Sequence, residues 1–294
     1  MPDPTPKPET VTQVYPEQRV LPLEGLYLGE ELARVAAQRQ KAVVLTSYLT
    51  DADGVIAKAD ERHHFEVPAE IRNPSDWRLF QELMAQADVL ISAGDYLRRV
   101  SAPGKHHQDI LHQFEAGGEF EELGEWRLRV GYEKRSPDLA VVTRQLDFEI
   151  PGEVIQGGRR VYIFTTYGLA SSERAKALTA SGTVIVGSGE AGVEGRRMID
   201  YLADEVDARV IVMATGPGVL QLLLAAKRLD FLYITQVQRE IRFEAPSSVK
   251  TLLSGGNKVQ DLKEFRLTHE YSQDNVVTAD GSLVSQLFLR YDRK

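Results

Sequence analysis

Residues 208–229 read ARVIVMATGPGVLQLLLAAKRL and form the most informative segment of the chain. The first seven have the apolar, β-branched composition of a buried strand, and a Gly-Pro-Gly turn at 216–218 leads from them into an apolar helix. The first N–H groups of such a helix have no partner, and its dipole is positive at that end, so a pyrophosphate can bind without a side chain. The segment therefore predicts a nucleotide-binding turn.

The rest of the second half alternates strand and helix patterns, as βαβ units do. Predicted strands cover residues 42–50, 89–92, 139–145, 160–166, 183–189, 208–214, 231–243 and 282–291. Predicted helices cover residues 29–40, 76–87, 172–181 and 194–206, besides the one after the turn. The last two strands alternate most clearly, which is typical of antiparallel pairing. The pattern predicts an α/β protein with about eight strands in one mostly parallel sheet, with an antiparallel C-terminal edge.

The predicted domain organisation is simple. Residues 1–20 are rich in Pro, Thr and Glu, and we expect a flexible arm there. We expect residues 21–294 to form a single domain. Within it, residues 101–137 are polar and poorly periodic, which predicts an inserted hairpin or lid.

Composition excludes several classes of function. The formal net charge of -8 argues against nucleic-acid binding, which needs clustered Lys and Arg. The chain has no run of 18 apolar residues and no signal peptide, so we expect a cytoplasmic protein without a membrane partner. It has no cysteine, which excludes disulfides and thiolate nucleophiles, and its six His residues lack metal-ligand spacing. We predict no metal site.

Residues 187–192, GSGEAG, match the dinucleotide fingerprint G-x-G-x-x-G between a strand and a helix. The fingerprint also requires an acid at the end of the next strand, and that strand ends in Thr215-Gly216 instead. Two interpretations stay open: a Rossmann-type NAD dehydrogenase, or a plain glycine turn. Either one predicts close approach of a ligand to Gly187.

Two other strand ends carry candidate residues. Thr143-Arg144 follows a strand, where an arginine beside a hydroxyl suits the 2′-phosphate of NADPH, although a solvated arginine is an equally good interpretation. Asp53-Gly54 and Gly94-Asp95 also follow strands, and their small residues would let a flat ring approach. Asp53 is the candidate proton donor, but Asp-Gly is also a common turn sequence.

The order of these segments resembles the reductase (C-terminal) domain of the riboflavin-biosynthesis protein RibD, in the dihydrofolate-reductase-like superfamily. The likeness runs from VVLTSYLTDADGVIA through PDLAVVTRQLDFEIP and VIVMATGPGVLQLLLAAKRLDFLYIT to LFLRYDR. It implies a homodimeric NADPH-dependent reductase with helices on both faces of one sheet. The family reduces the ribosylamino group of a pyrimidine phosphate in riboflavin biosynthesis.

The strand-end patterns and the resemblance together predict roles for particular residues. The cofactor-binding set is Thr50, Gly94, Thr143, Arg144, Gly187, Gly216, Pro217, Gly218, Val219 and Leu220. The substrate-binding set is Ser47, Gly54, Asp95 and Thr215, with Asp53 as the catalytic residue. Departures from the family pattern fall on the substrate side, where Asp51, Met84, Asp95, Ala214 and Thr215 replace the family's residues.

From the residues and the resemblance together, we expect an NADPH-dependent oxidoreductase that transfers a hydride to a C=N or C=O group. Its substrate would be a small pyrimidine-, pterin- or sugar-like molecule. Loss of a cation and gain of acids on the substrate side should weaken binding of a ribose phosphate. The alternatives are a non-catalytic NADP(H)-binding protein and the Rossmann-type dehydrogenase.

Overall fold

A computed structural model describes residues 9–60, 65–101, 114–243, 245–253 and 259–294. Its strands are β1 (Thr10–Tyr15), β2 (Arg19–Pro22), β3 (Val43–Thr50), β4 (Val55–Ala59), β5 (Phe65–Glu66), β6 (Val89–Ala93), β7 (Asp138–Val142), β8 (Val161–Thr165), β9 (Val184–Gly187), β10 (Val210–Met213), β11 (Phe231–Val237), β12 (Val249–Thr251), β13 (Phe265–Val277) and β14 (Leu283–Arg293). Its α-helices are α1 (Leu32–Arg39), α2 (Pro74–Ala85), α3 (Gly94–Val100), α4 (Glu121–Arg129), α5 (Tyr167–Ala170), α6 (Glu173–Ala180), α7 (Gly195–Asp204) and α8 (Pro217–Ala225).

The chain divides into two compact units rather than the expected single domain. Unit 1 comprises Met1–Glu30, Thr46–Glu82 and Asp230–Lys294, and unit 2 comprises Glu31–Leu45 and Leu83–Leu229. Two of the points at which the chain passes from one unit to the other lie inside β3 and α2. Strand and helix periodicity does not reveal such a division, because an element that crosses it keeps an unbroken hydrophobic pattern.

Unit 2 is built on a parallel array in the order β10-β6-β7-β8-β9. Its strands are short and nearly continuously apolar, and β10, β6, β7 and β8 are buried along their middles, as expected where helices cover both faces of a sheet, whereas the outermost strand β9 is only half-buried. Because all five strands are parallel, their carboxyl ends meet at one edge. The predicted βαβ alternation is confirmed here.

Unit 1 contains an antiparallel array in the order β2-β1-β13-β14-β11 and a small sheet in the order β12-β4-β5. The predicted flexible arm is therefore wrong for residues 10–15 and 19–20, which pair in β1 and β2. Val11 and Gln13 are each 1% exposed, so alternate side chains of β1 are buried in spite of the polar composition. The first eight residues lie outside the described chain.

The α2 helix begins at Pro74, two residues before the predicted range of 76–87. The Asn73 side-chain oxygen accepts the N–H of Asp76 at 2.9 Å, and Pro74 occupies the first helical position, where it needs no N–H donor. Asn73 therefore caps the helix.

The segment predicted as a hairpin or lid contains a helix, α4, in its described part. Leu123 and Arg127 of this helix are buried. The Arg127 guanidinium donates to the carbonyl oxygens of Ala85 and Ala87, both at 2.7 Å, which holds the segment in unit 2. The hairpin prediction is wrong for this part of the segment. The helix lacks apolar periodicity in the sequence, and hydrogen bonds from an arginine to backbone carbonyls hold it in place instead. Residues 102–113 lie outside the described chain.

The fold class is confirmed: an α/β protein with parallel strands and antiparallel C-terminal strands. The two arrays hold more strands than the eight predicted, since β1, β2 and β13 were not expected. The burial pattern of β13 is irregular, and its pairing with β14 shifts register twice. A bulged strand does not show the strict alternation on which strand prediction depends.

Candidate functional site

Three neighbouring strands of unit 2 bring predicted cofactor-binding residues to one edge. The strands β10, β6 and β7 are adjacent, and they are followed by Gly216, Gly94 and Thr143 respectively. In open α/β sheets, ligands bind outside the carboxyl ends of such strands. The predicted cofactor-binding residues therefore lie at the edge of the sheet where open α/β folds usually bind ligands.

The turn after β10 leaves the N-terminus of α8 open. Gly216 precedes the helix with φ −68° and ψ 177°, and no side chain caps the helix N-terminus. Gly216 and Gly218 are both exposed, and a Cβ added to either one would have no atom within 4 Å. Val219 and Leu220 are buried, so only their backbone is left for a ligand. The free amide groups and the open space fit a phosphate.

Arg144 and Thr143 differ in what their side chains do. The Thr143 hydroxyl donates to the carbonyl oxygen of Gln145 at 2.7 Å and lies where a Cβ on Gly94 would come within 2.5 Å of it. Thr143 therefore shapes the strand end and explains the glycine at 94. Arg144 is exposed and has no ion pair with any described residue. Its guanidinium is available to an anion.

The turn after β9 is packed against its own unit. A Cβ on Gly187 would lie 2.8 Å from the ring of Tyr167, and a Cβ on Gly189 would collide with the carbonyl oxygen of Gly192. A Cβ on Gly195, the first residue of α7, would lie 2.7 Å from the carbonyl oxygen of Leu222. These contacts account for the glycines without a ligand, and they favour the glycine-turn interpretation of this motif over the Rossmann one.

Asp95, predicted to bind substrate, carries a partner in the structure. Its carboxylate accepts from Arg98 at 2.6 Å, and the same guanidinium donates to Asp147 at 2.7 Å. Thr215, the other substrate residue of unit 2, lies in the turn after β10.

In unit 1, three predicted residues line one cavity of about 110 Å³: Thr50, Asp53 and Gly54. The cavity wall also includes Ile234, Gln236, Thr251, Leu252, Leu253, Val259, Gln260, Leu289 and Tyr291. Asp53 is exposed, and its carboxylate has no hydrogen bond or ion pair with a described residue. Ser47 is half-buried in β3 and is not among the described lining residues.

Asp51 holds the turn that carries Asp53. One carboxylate oxygen accepts the N–H groups of Asp53 and Val55, at 2.9 and 2.8 Å, and the other accepts the N–H of Ile241 at 2.9 Å. Asp51 is buried. This departure from the family pattern is therefore structural: the acid replaces missing backbone partners in an Asx turn.

Sequence reasoning missed one carboxylate, Asp76 near the start of α2. Burial raises the pKa of Asp76 to about 6, and a hydrogen bond with the Thr235 side chain lowers it only in part. A carboxyl group with such a pKa is a candidate acid. Thr235 lies between Ile234 and Gln236 on β11, so by strand alternation it points away from the cavity face. Pattern reasoning offered no signal, since an acid in the first helical turn is ordinary.

No group of His, Asp or Glu is arranged to hold a metal ion in the part of the chain that the structure describes. None of its helices there combines the length and apolar character needed to cross a bilayer.

No protein-family model and no curated protein matches the sequence. Solved structures do match. The chain is similar to a pyrimidine reductase-like protein of Corynebacterium diphtheriae, with a TM-score of 0.57 and 16% identity over 90% of this chain and 98% of that one. It is similar to the riboflavin biosynthesis reductase Rib7 of Saccharomyces cerevisiae, with a TM-score of 0.52 and 13% identity over 91% and 98%.

RibD of Acinetobacter baumannii also matches, with a TM-score of 0.52 and 10% identity over 88% of this chain. The match spans only 60% of the RibD chain. Identities this low show the fold alone. The chain therefore has the fold of RibD-type reductase domains, and the predicted resemblance is confirmed at that level.

Proposed function

We propose that this protein is an NADPH-dependent reductase of the RibD C-terminal type, acting on a small pyrimidine-, pterin- or sugar-like substrate. Support comes from the fold, which it shares with proteins described as a pyrimidine reductase-like protein and a riboflavin biosynthesis reductase. The single observation that carries the proposal is the open N-terminus of α8. NADPH, when bound, supplies a hydride for a C=N or C=O carbon.

In this proposal, the turn after β10 holds the pyrophosphate. The N–H groups of Gly218 and Val219 donate to phosphate oxygens, helped by the positive end of the helix dipole. Open space at Gly216 and Gly218 lets the phosphates approach the backbone. Pro217 lacks an N–H and sets the first helical residue in place.

Arg144 holds the 2′-phosphate. Its guanidinium can make two parallel hydrogen bonds to phosphate oxygens, and it has no competing ion pair among described residues. Thr143 acts as a positioning residue, because its hydroxyl is committed to the Gln145 backbone and fixes the strand end from which Arg144 projects. This arrangement favours NADPH over NADH.

Asp53 is the candidate proton donor, since its carboxylate is exposed on the cavity wall and has no hydrogen bond or ion pair with a described residue. Asp76 has a raised pKa, but its partner Thr235 lies by strand alternation on the face of β11 away from the cavity. In Asp53→Asn we expect NADPH oxidation to be lost while NADPH binding is kept, and oxidation that persists would contradict this role.

One observation favours the alternative of a non-catalytic NADP(H)-binding protein. Asp51 and Asp95, two of the departures on the substrate side, are both used in internal contacts. A chain that kept its cofactor turn while its substrate residues took structural roles would bind NADPH and oxidise none of it. We propose the reductase first, because the Asp53 carboxylate on the cavity wall of unit 1 has no hydrogen bond or ion pair with a described residue.

A fluorescence titration with NADPH and NADH tests the proposal. We expect saturable NADPH binding, weaker NADH binding, and loss of that preference in Arg144→Ala. Oxidation of NADPH is then followed at 340 nm against a panel of pyrimidines, pterins and sugars. Absence of NADPH binding contradicts both functions, whereas binding without oxidation by any compound supports the alternative.

A further inference from the structure

We propose that Arg174 sets the preference for NADPH over NADH as a positioning residue, by holding the loop that carries Arg144. The loop consists of residues 143–150, follows β7 and contains no strand or helix; we call it the β7 loop. The inference rests on the proposed function, in which Arg144 holds the 2′-phosphate. It adds a residue from another element of unit 2, the helix α6, that neither the strand-end patterns nor the resemblance indicates.

Arg174 lies in the first turn of α6 and reaches the backbone of the β7 loop. Its Nε atom donates to the carbonyl oxygen of Leu146 at 2.9 Å, and a terminal nitrogen donates to the carbonyl oxygen of Phe148. The same terminal nitrogen donates to the carboxylate of Glu149 at 2.7 Å. One planar guanidinium therefore fixes two backbone carbonyl groups in a loop that lies outside the sheet.

The position of this arginine is opposed by the helix dipole. The Ser172 hydroxyl caps α6 by accepting the N–H of Ala175 at 3.2 Å, which makes Arg174 the second residue of the helix. A cation is disfavoured there, because the N-terminal end of a helix carries a partial positive charge. The hydrogen bonds to the loop carbonyls offset this cost and account for an arginine at the start of α6.

The backbone is held on both sides of Arg144. On the strand side, the Thr143 N–H donates to a carbonyl oxygen of β8 at 3.0 Å, and the Thr143 hydroxyl donates to the carbonyl oxygen of Gln145 at 2.7 Å. On the other side, the hydrogen bond from Arg174 reaches Leu146, whose side chain is buried. Loss of Arg174 therefore loosens the loop after Arg144, while buried side chains keep the loop against unit 2.

A loosened β7 loop weakens NADPH more than NADH. The Arg144 guanidinium must be oriented to make two parallel hydrogen bonds to a phosphate, and ordering a free segment on binding costs affinity. Only NADPH carries the 2′-phosphate that this arginine holds. Because the Arg174 donors described above face the protein's own loop, its effect on NADPH passes through Arg144.

The preference, measured as the dissociation constant of NADH divided by that of NADPH, is the readout, since a purely structural role would change both constants together. Arg174→Ala should lower it about three- to tenfold and leave NADH binding unchanged. Arg174→Lys keeps the charge but lacks the fork that reaches two carbonyls, so it should lower the preference similarly. Full preference in Arg174→Lys would show that charge alone matters and would overturn the inference.

Lys176→Ala is the matched control. Lys176 is an exposed cation of the same helix, and its ammonium pairs with Glu173 inside that helix at 2.6 Å. Its removal changes the net charge as Arg174→Ala does, without touching a hydrogen bond of the β7 loop. We expect an unchanged preference. An equal loss of preference in Lys176→Ala and Arg174→Ala would attribute the effect to net charge and would overturn the inference.

The double variant Arg144→Ala/Arg174→Ala tests whether one arginine acts through the other. Once Arg144 is absent, removal of Arg174 should cause no further loss of preference, because residues that act on one contact are not additive. Additive losses would mean that Arg174 contacts the 2′-phosphate itself, which contradicts a positioning role.

The same titrations keep this inference apart from the proposed function. Wild-type protein that binds no NADPH removes both. A preference that depends on Arg144 but not on Arg174 removes the inference and leaves the proposed function. Unfolding in urea verifies that each variant is folded, and Arg174→Lys carries the comparison if Arg174→Ala is not.

Discussion

Two strand-to-helix turns of unit 2, at residues 187–192 after β9 and at 214–218 after β10, are rich in small residues and look equally functional in the sequence. In the first turn, Cβ atoms on Gly187 and Gly189 would meet the protein itself. In the second, Cβ atoms on Gly216 and Gly218 would meet nothing within 4 Å. A glycine that the fold already needs gives no evidence for a ligand, whereas a glycine with open space beside free N–H groups does.

The largest expected effect tests whether the turn after β10 binds the phosphates of NADPH. Gly218→Glu should leave the fold intact, because the site is exposed, and should weaken NADPH at least about a hundredfold, since like charges placed together cost several kcal/mol. Fluorescence titration measures the affinity and urea unfolding measures stability. Gly192→Glu is the matched control in the other turn, where a Cβ also has open space. Normal NADPH binding by Gly218→Glu would remove the phosphate assignment.

The closed turn should respond in the opposite way. Gly189→Ala forces a Cβ against the Gly192 carbonyl and should lower the free energy of unfolding by about 3 kcal/mol, the upper range for overpacking. The loss is measured by urea unfolding, with Gly192→Ala as the control that stays near wild type. A stable Gly189→Ala protein with weakened NADPH binding would favour the Rossmann interpretation instead.

Two carboxylates of unit 1 can be compared in a similar way, because one accepts backbone hydrogen bonds and the other has a raised pKa. Asp51 accepts three backbone N–H groups, while Asp76 is buried with its pKa raised to about 6. Between about pH 4 and 6 the unfolded chain releases the Asp76 proton and the folded chain keeps it, so folding stability falls as pH rises. Above pH 7 the ionised group costs up to about 3 kcal/mol.

Asp76→Asn removes this cost. The variant should be more stable than wild type at pH 8, by up to about 3 kcal/mol, and the difference should vanish toward about pH 4. Urea unfolding at several pH values measures it. Asp51→Asn should lose about 1 to 3 kcal/mol at pH 8, because the amide offers one acceptor oxygen where the backbone uses two. A pH-independent effect of Asp76→Asn would show that its pKa is not raised.

How much the sequence predicts follows from what local pattern can encode. The parallel strands and the α8 turn were predicted, because apolar runs and glycine turns are local signals. The strand β1 was not, since Thr10–Tyr15 is polar and owes its place to pairing with β13. Asp53 was predicted from its place at a strand end and Thr50 from the resemblance, yet that both share a cavity with Tyr291 depends on strands far apart in the chain.

A moderate effect is expected at Arg144, which we propose holds the 2′-phosphate of NADPH. Arg144→Ala should weaken NADPH about ten- to hundredfold, the worth of a charged hydrogen bond, and leave NADH unchanged. The ratio of the two dissociation constants is the measurement. Arg196→Ala, an exposed arginine on α7, is the control and should change neither. Equal weakening of both coenzymes would place the arginine away from the 2′-phosphate.

The smallest expected effect comes from a substitution that adds one methyl group, and it distinguishes the two turns most clearly. Gly218→Ala lies in the first turn of α8 with open space around it, so it should keep or raise stability by about 0.4 to 1 kcal/mol. If phosphates approach the backbone there, the same methyl should still weaken NADPH a few-fold, while Gly192→Ala leaves binding unchanged. Internal packing cannot explain a variant that gains stability while it loses NADPH affinity. Substitution of a glycine that only the fold needs would lower both the stability and the affinity. Unaltered affinity in Gly218→Ala would mean that the open space beside α8 is not where the coenzyme lies.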